Sequence, residues 1–320
     1  MPGDHRRQVF VIGESLIDVV VSADAPAQEH VGGSPANVAL GLARLGVGVR
    51  LHTALARDDR GRVIREHLER DGVDIDPESW SLRHTSTAVA RIGAGGVADY
   101  DFAVEWQVPV PPVLAGEAVV HTGSIAAFME PGATAVRAFL ASLGSQVRIT
   151  FDPNIRPALI GGRDAVRARM TEIARRAYLV KLSDEDAEWL YPGVPIGEVV
   201  DALLDGGTRI VVVTRGAQGA LLAAGADRVT VEAAPAVVVD TVGAGDTFMA
   251  ALIDGIVKLA PGDPLDPRIL AWLGRRAAAA AGVTVQRVAA DLPTWDDVVA
   301  SGFLPRDEAN GRTGPRTGAR

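Results

Sequence analysis

At 320 residues and 48% hydrophobic content the chain can bury a large core, and its formal charge of −8 speaks against nucleic acid or an anionic membrane as partner. It has no cysteine, which excludes disulfides and thiolate metal sites. The start, MPGDHRRQVFVIGE, passes from polar residues into a strand pattern without a signal-peptide core, and the apolar runs are too short for a bilayer, so a cytoplasmic protein is expected. Only two of the 32 basic side chains are lysines, Lys181 and Lys258, and neither follows a G-x-x-x-x-G pattern, so there is no P-loop.

Val9 to Ile12 reads as a buried strand, and Asp18 interrupts the apolar run that follows it. Gly32 and Gly33 form a turn into a helix in which Val38, Leu42 and Leu45 share a face. Asn37 lies in its first turn, within reach of a ligand or simply capping the helix. Leu51 to Ala56 is expected as a second strand, and Val63, Ile64 and Leu68 mark a helix closed by Gly72 and Val73. Residues 84–110 suggest two strands around Gly93 to Gly96, ended by Pro109, Pro111 and Pro112. With residues 16–31 they would make a small sheet, or else an edge hairpin of the main one. The match Gly93-Ala94-Gly95-Gly96-Val97-Ala98 to a dinucleotide fingerprint leads into a strand, not a helix, and is set aside.

Beyond Pro112 strands and helices alternate, which argues for a parallel sheet covered on both faces. The strands are Val119 to Gly123, Val147 to Phe151, Leu179 to Lys181 and Ile210 to Thr214. Polar clusters follow the last three: Asp152-Pro153-Asn154-Ile155-Arg156, Ser183-Asp184-Glu185-Asp186 and Arg215-Gly216-Ala217-Gln218-Gly219. Ligands of such sheets sit beyond the strands' carboxyl ends. Arg156, a surface arginine or a phosphate clamp, stands at such an end.

An apolar run, Ala236 to Val239, then precedes Asp240-Thr241-Val242-Gly243-Ala244-Gly245-Asp246 and a helical pattern with Phe248, Leu252, Gly255, Ile256 and Leu259 on one face. Two glycines at a helix start let a ligand approach the backbone N–H groups, and the helix dipole favours an anion there. Asp246 would repel that anion. It is suited instead to take a proton from a hydroxyl attacking a phosphoryl group, or it is an ordinary first-turn aspartate.

DTVGAGDTF, GESLID and GGSPANVALGLARLG together resemble the ribokinase-like (PfkB) carbohydrate kinases, most of all their fructokinase branch. The likeness extends in matching order over about residues 8–303. It implies a three-layer α/β/α fold with a mostly parallel sheet, in one domain over residues 1–305. A small β-lid from about 16–31 and 84–110 is implied too, which often forms a homodimer contact in relatives. By the same resemblance Asp246 is the catalytic base, with Gly243, Ala244 and Gly245 as the anion hole. Asp18, Gly32, Gly33, Asn37, Phe102 and Arg156 would meet the sugar. Asn154, Lys181, Ser183, Thr214, Arg215, Gly216, Gly219 and Gly245 would meet ATP. Asp186 would act on Mg²⁺ through water, although Ser183 and Asp186 depart from the ribokinase pattern NxxE. Asp240 would help hold K⁺, although Ala289 replaces the glycine of the partner turn.

The resulting expectation is an ATP-dependent kinase for a primary hydroxyl of a neutral sugar, most like fructokinase. Relatives that carry a lid Tyr-x-Arg take 2-keto-3-deoxygluconate. Here Phe102-Ala103-Val104-Glu105-Trp106 stands in that place, offering Phe102 and Trp106 as an apolar wall and Glu105 against an acid. Ribokinase, 2-keto-3-deoxygluconate kinase and nucleoside kinase are alternatives within the family. An inactive sugar sensor is a further alternative, and a nicotinamide enzyme lacks a usable fingerprint. The Gly-, Arg- and Thr-rich residues 306–320 are expected to be a disordered tail.

Overall fold

The computed structural model describes residues 8–305 and 308, apart from 23–24, 93–97, 110 and 112–113. The Gly93–Val97 turn, Pro112 and, Glu308 apart, the tail from Arg306 lie outside the described residues.

The strands, in chain order, are β1 (Val9–Ile12), β2 (Leu16–Ser22), β3 (Ala25–Gly32), β4 (Val49–His52), β5 (Asp74–Ile75), β6 (Thr87–Ile92) and β7 (Ala98–Ala103). They continue with β8 (Val119–Gly123), β9 (Arg148–Asp152), β10 (Ala177–Ser183), β11 (Ile210–Thr214), β12 (Ala220–Ala224) and β13 (Asp227–Val231). The helices are α1 (Ser34–Arg44), α2 (Asp59–Arg70), α3 (Ser124–Phe128), α4 (Gly132–Ser142) and α5 (Arg163–Ala174). The others are α6 (Asp184–Leu190), α7 (Ile196–Asp205), α8 (Ala244–Lys258), α9 (Pro267–Thr284) and α10 (Trp295–Ala300).

Nine strands form one sheet in the order β13-β12-β11-β10-β9-β8-β1-β4-β5. All neighbours run parallel except the β11–β12 and β12–β13 pairs. Strands buried on both faces read as unbroken apolar runs, and Val9–Ile12 and Ile210–Val213 are such runs with no exposure. One core lies between the sheet and α1, α8 and α9, the other on the face carrying α3 to α7. A second sheet, β3-β2-β6-β7, joins residues 16–32 to 87–103. Among the described residues no helix is long and apolar enough to cross a membrane.

Three elements differ from the sequence reading. The strand expected over Leu51 to Ala56 ends at His52, because the chain turns there so that Thr53 and Leu55 bond to Ser79. Ala236 to Val239 is no strand. It leaves the sheet edge after β13, Ala236 N–H turning back to the Ala234 carbonyl and Val239 N–H reaching the Val285 carbonyl, with Val237, Val238 and Val239 exposed. Valine favours extended backbone but does not supply a strand to pair with. The helix expected to bury one face, α8, is buried all round from Asp246 to Ile256, since α1 and α9 pack on it.

The chain reverses its order of strand addition between β1 and β8, and the polar loops collect at their carboxyl ends. Gly123 at the end of β8 permits this close packing, because a Cβ there would lie 2.0 Å from the Asp152 carbonyl oxygen on β9. Gly123→Ala is therefore expected to destabilise the fold by about 1–3 kcal/mol through overpacking. Urea denaturation checks this, with a lower midpoint at an unchanged slope.

Candidate active site

The turn from Asp240 to Asp246 is built by its own backbone. Gly243 has φ 78°, and a side chain there would meet Ala290, so glycine fits where other residues do not. Thr247 N–H donates to the Gly243 carbonyl at 2.8 Å and starts α8. Ala244 N–H turns back to Thr241 at 3.2 Å. The first-turn N–H groups of Gly245 and Asp246 have no acceptor within the helix by its geometry, and they aim with the dipole at any anion placed there. Asp240 ties the turn down. Its Oδ1 accepts from Val242 N at 3.0 Å and its Oδ2 from Ala289 N at 2.8 Å, and these backbone donors hold its carboxyl below the usual range. Ala289 stands in the left-handed region at φ 58°.

Asp246 is buried where α8 meets α1. Ser34 Oγ donates to its Oδ1 at 2.7 Å and Asn37 Nδ2 to its Oδ2 at 2.8 Å. Burial pushes its pKa up, while Ser34, Asn37, Lys181 and Arg156 oppose the rise. Each oxygen keeps a further lone pair for a substrate hydroxyl.

Two cavities meet at this turn and share Thr241 and Gly245 as lining. The first, about 520 Å³, gathers the charged and polar side chains. Asp18, Phe102 and Ala88 of the second sheet, Gly33, Ser34 and Asn37 of the α1 start, and Asn154 and Arg156 after β9 all line it. Its charged lining is Glu14, Asp18 and Asp246 against Arg156. Burial raises the Asp18 pKa, partly offset by Arg156 and His30. The second cavity, about 500 Å³, is apolar, walled by Thr214, Gly216, Gly219, Val238, Ala244, Phe248, Ala278 and Val285.

Under the turn lies a buried ion pair. Lys181 Nζ donates to Asp152 Oδ2 at 2.7 Å, and a Cβ on Gly245 would sit 3.3 Å from the same Nζ. Burial works against the Lys181 ammonium, but the charge and hydrogen bond of Asp152 together with the charges of Asp186 and Asp246 outweigh it and hold the pKa above the usual value. Burial lifts Asp152 to about 6 against the pull of Lys181, and its Oδ1 has no hydrogen-bond partner. Among the described residues no group of three or more histidines and acids could hold a metal by themselves.

A profile of the pfkB family carbohydrate kinases matches residues 6–297. The chain belongs to that family. It is therefore a phosphotransferase acting on a sugar hydroxyl, with a ribokinase-like fold. Fructokinase-1 of Zea mays is 33% identical over 318 residues, 92% of this chain and 97% of its own. A double-mutant fructokinase from Vibrio cholerae O395, solved with fructose, ADP and potassium, is 26% identical with TM-score 0.80 over 95% of this chain and all of its own. The aminoimidazole riboside kinase of Salmonella enterica, solved with aminoimidazole riboside and an ATP analogue, is 25% identical with TM-score 0.79, covering 93% of this chain and 100% of its own.

Several residues expected in this pfkB-family site stand elsewhere. Gly32 is behind the cavity, where a side chain would meet Asp18 Oδ2 at 2.0 Å, so its role is to leave room for that carboxylate. Trp106 is no cavity wall: it is 1% exposed in the core, donating from Nε1 to the Ala126 carbonyl at 3.2 Å. Glu105 is exposed and off the cavity, whose acids are Glu14, Asp18 and Asp246. Ser183 and Asp186 form the capping box of α6, and Asp186 also accepts the Ile155 N–H at 2.8 Å. Both oxygens of Asp186 thus serve backbone donors, whereas Oδ1 of Asp152 is buried without a hydrogen-bond partner. Arg215 lines neither cavity, and Asn154 lines the polar one. Glu14, Ser34 and Asp152 are site residues that sequence reasoning had not assigned.

Removing Ser34 tests the setting of Asp246. Ser34→Ala deletes a donor that lowers the Asp246 pKa, so the acid limb of the kcat profile should move to higher pH. At neutral pH kcat/KM should fall about 10-fold, the worth of one charge-assisted hydrogen bond. Steady-state rates between pH 5 and 9 read both effects.

Proposed function

We propose that the chain transfers the γ-phosphoryl group of ATP to a primary hydroxyl of a neutral sugar, fructose giving fructose 6-phosphate. The observation that carries this reading is the meeting of the polar and apolar cavities at the Gly243–Asp246 turn. A sugar needs donors and acceptors around a ring, which Asp18, Asn37 and Arg156 offer, with Phe102 against its hydrocarbon face. A purine needs a flat apolar slot, which Ala278, Val285 and Val238 provide. Fructose and the adenine nucleotide come to this chain from relatives of similar length, one named fructokinase, one solved with fructose and ADP and one solved with an ATP analogue.

The attacking hydroxyl gives its proton to Asp246, whose raised pKa suits a base working near neutrality. Charge on the transferred group is met by the first N–H groups of α8, with Lys181 below them and Arg156 across the cavity. Asp152 and Asp186 are the carboxylates that would hold a Mg²⁺ ion through its water shell, and the ion would neutralise the nucleotide phosphates. The site of a K⁺ ion would be the strap between Asp240 and Ala289. The second sheet carries Asp18, Ala88 and Phe102 and acts as the lid that keeps water from the phosphoryl group.

Asp246→Asn is expected to lower kcat by about 10²–10⁴ and leave sugar KM nearly unchanged. A variant keeping more than about a tenth of the wild-type kcat sinks the base assignment. The choice of sugar is tested by kcat/KM for fructose and for 2-keto-3-deoxygluconate. A sugar carboxylate would enter a cavity with three acids and one arginine, so fructose should lead by at least about 10-fold. A clear preference for the acid would overturn the neutral-sugar reading and point to Arg156.

A further inference from the structure

The polar cavity contains one acid for which phosphoryl transfer has no use. Glu14 follows β1, is 3% exposed and lines the wall opposite the α8 turn. Its Oε2 accepts the Ala126 N–H at 3.1 Å, and the Ser124 hydroxyl favours the ionised form of the same carboxyl. Both groups belong to the turn from β8 into α3, and Ser124 and Ile125 from that turn also line the cavity. The turn is held in a costly shape. Ser124 has φ 50°, left-handed for a residue with a side chain, and it follows Gly123, which has no room for one. The Ala126 backbone is gripped on both sides, by Glu14 on its N–H and by Trp106 on its carbonyl.

We propose that Glu14 is a positioning residue for the sugar, its ionised carboxylate holding the β8–α3 turn in the shape against which the substrate packs. The proposal rests on the sugar-kinase reading and deepens it. An ionised carboxylate offers only acceptors, which matches the Ala126 N–H; a protonated one can turn a donor toward it.

The charges around Glu14 are few. Arg156, after β9, is the cation that acts on it, and Asp18 on β2 and Asp246 on α8 are the acids sharing the cavity. The parts of α1 and α3 that line the cavity carry no charge. His52 on β4 faces Pro109 and Asp76, and His121 on β8 faces Thr150. Burial pushes the Glu14 pKa up to about 7, against the donors of the turn and Arg156. The folded pKa thus lies above the ordinary value of 4.5, so Glu14 favours folding most below pH 4.5. That contribution is lost as pH rises through about 7. The ionised form is then the one that costs stability and serves the ligand.

The experiment compares wild type, Glu14→Gln and Glu14→Ala for sugar KM, ATP KM and kcat between pH 6 and 8.5, with fructose as the first sugar. Urea unfolding without ligand at pH 5 and pH 8 accompanies it. Wild-type sugar KM should rise about 2- to 10-fold as pH falls from 8 to 6, the worth of one hydrogen bond, with ATP KM flat. Glu14→Gln should show no such step and sit at the wild-type low-pH value, with Glu14→Ala higher still. Wild type should lose stability relative to Glu14→Gln between pH 5 and pH 8. A wild-type sugar KM in Glu14→Gln at every pH, or the same step in both proteins, would overturn the proposal. The glutamine variant matches the native side chain in shape and carries the test if the alanine variant does not fold. No turnover by wild type on any sugar would overturn the kinase reading and the sugar role with it. A pH-independent stability difference between wild type and Glu14→Gln would overturn the Glu14 assignment alone.

Discussion

Two hydrogen bonds onto one buried carboxylate join the halves of this site: Ser34 and Asn37 of the α1 start both donate to Asp246 at the start of α8. The partners are 212 and 209 positions apart in sequence, so neither half can take its working shape without the whole sheet between them. Leaving such a carboxylate without donors would cost far more than the bonds themselves contribute. Hence the packing of α8 between α1 and α9, buried on every side, is a condition of the chemistry as well as of the fold. The same logic runs one layer down, where Lys181 and Asp152 neutralise each other beneath Gly245.

The parts of the site that could be read from sequence are those in which local spacing carries the physics. Gly243, Gly245 and Asp246 specify a left-handed turn, bare N–H groups and a carboxylate within four residues, and the structure has that arrangement. The parallel sheet was legible because strands buried on both faces leave unbroken apolar runs. Ser34 was not, since a serine in a helix's first turn gives no sign of a partner two hundred residues away. Trp106 was misread because strand alternation says which side a residue faces, not whether core or cavity lies there. Asp152 was not singled out beside Asp186 since both stand at strand ends; only the hydrogen bonds show that Asp186 caps α6 while Asp152 pairs with Lys181 and leaves Oδ1 without a partner. Ala236 to Val239 looked like a strand by composition alone, with no edge available to receive it.

Acids dominate the sugar side. Glu14, Asp18 and Asp246 all have pKa values raised by burial, and each would be easier to fold as a neutral side chain. Arg156 is the cation that faces all three, yet it is exposed and held only by the Asn154 and Ile155 carbonyls. The sugar side thus keeps its acids buried or half-buried and its arginine at the surface. That division suits a reaction in which the hydroxyl side stays in place while phosphate charge arrives and leaves.

The shared wall between the cavities has a stereochemical consequence. Thr241 and Gly245 border both spaces, so an acceptor oxygen and a donor phosphorus held on either side face each other across a single turn of chain. No cysteine exists in the chain, and His121, the buried histidine on β8, is held far below its ordinary pKa and turned to Thr150. Neither offers a way-station for the phosphoryl group. On the proposed reading the group crosses in one displacement, and a chiral phosphorus would emerge with its configuration inverted.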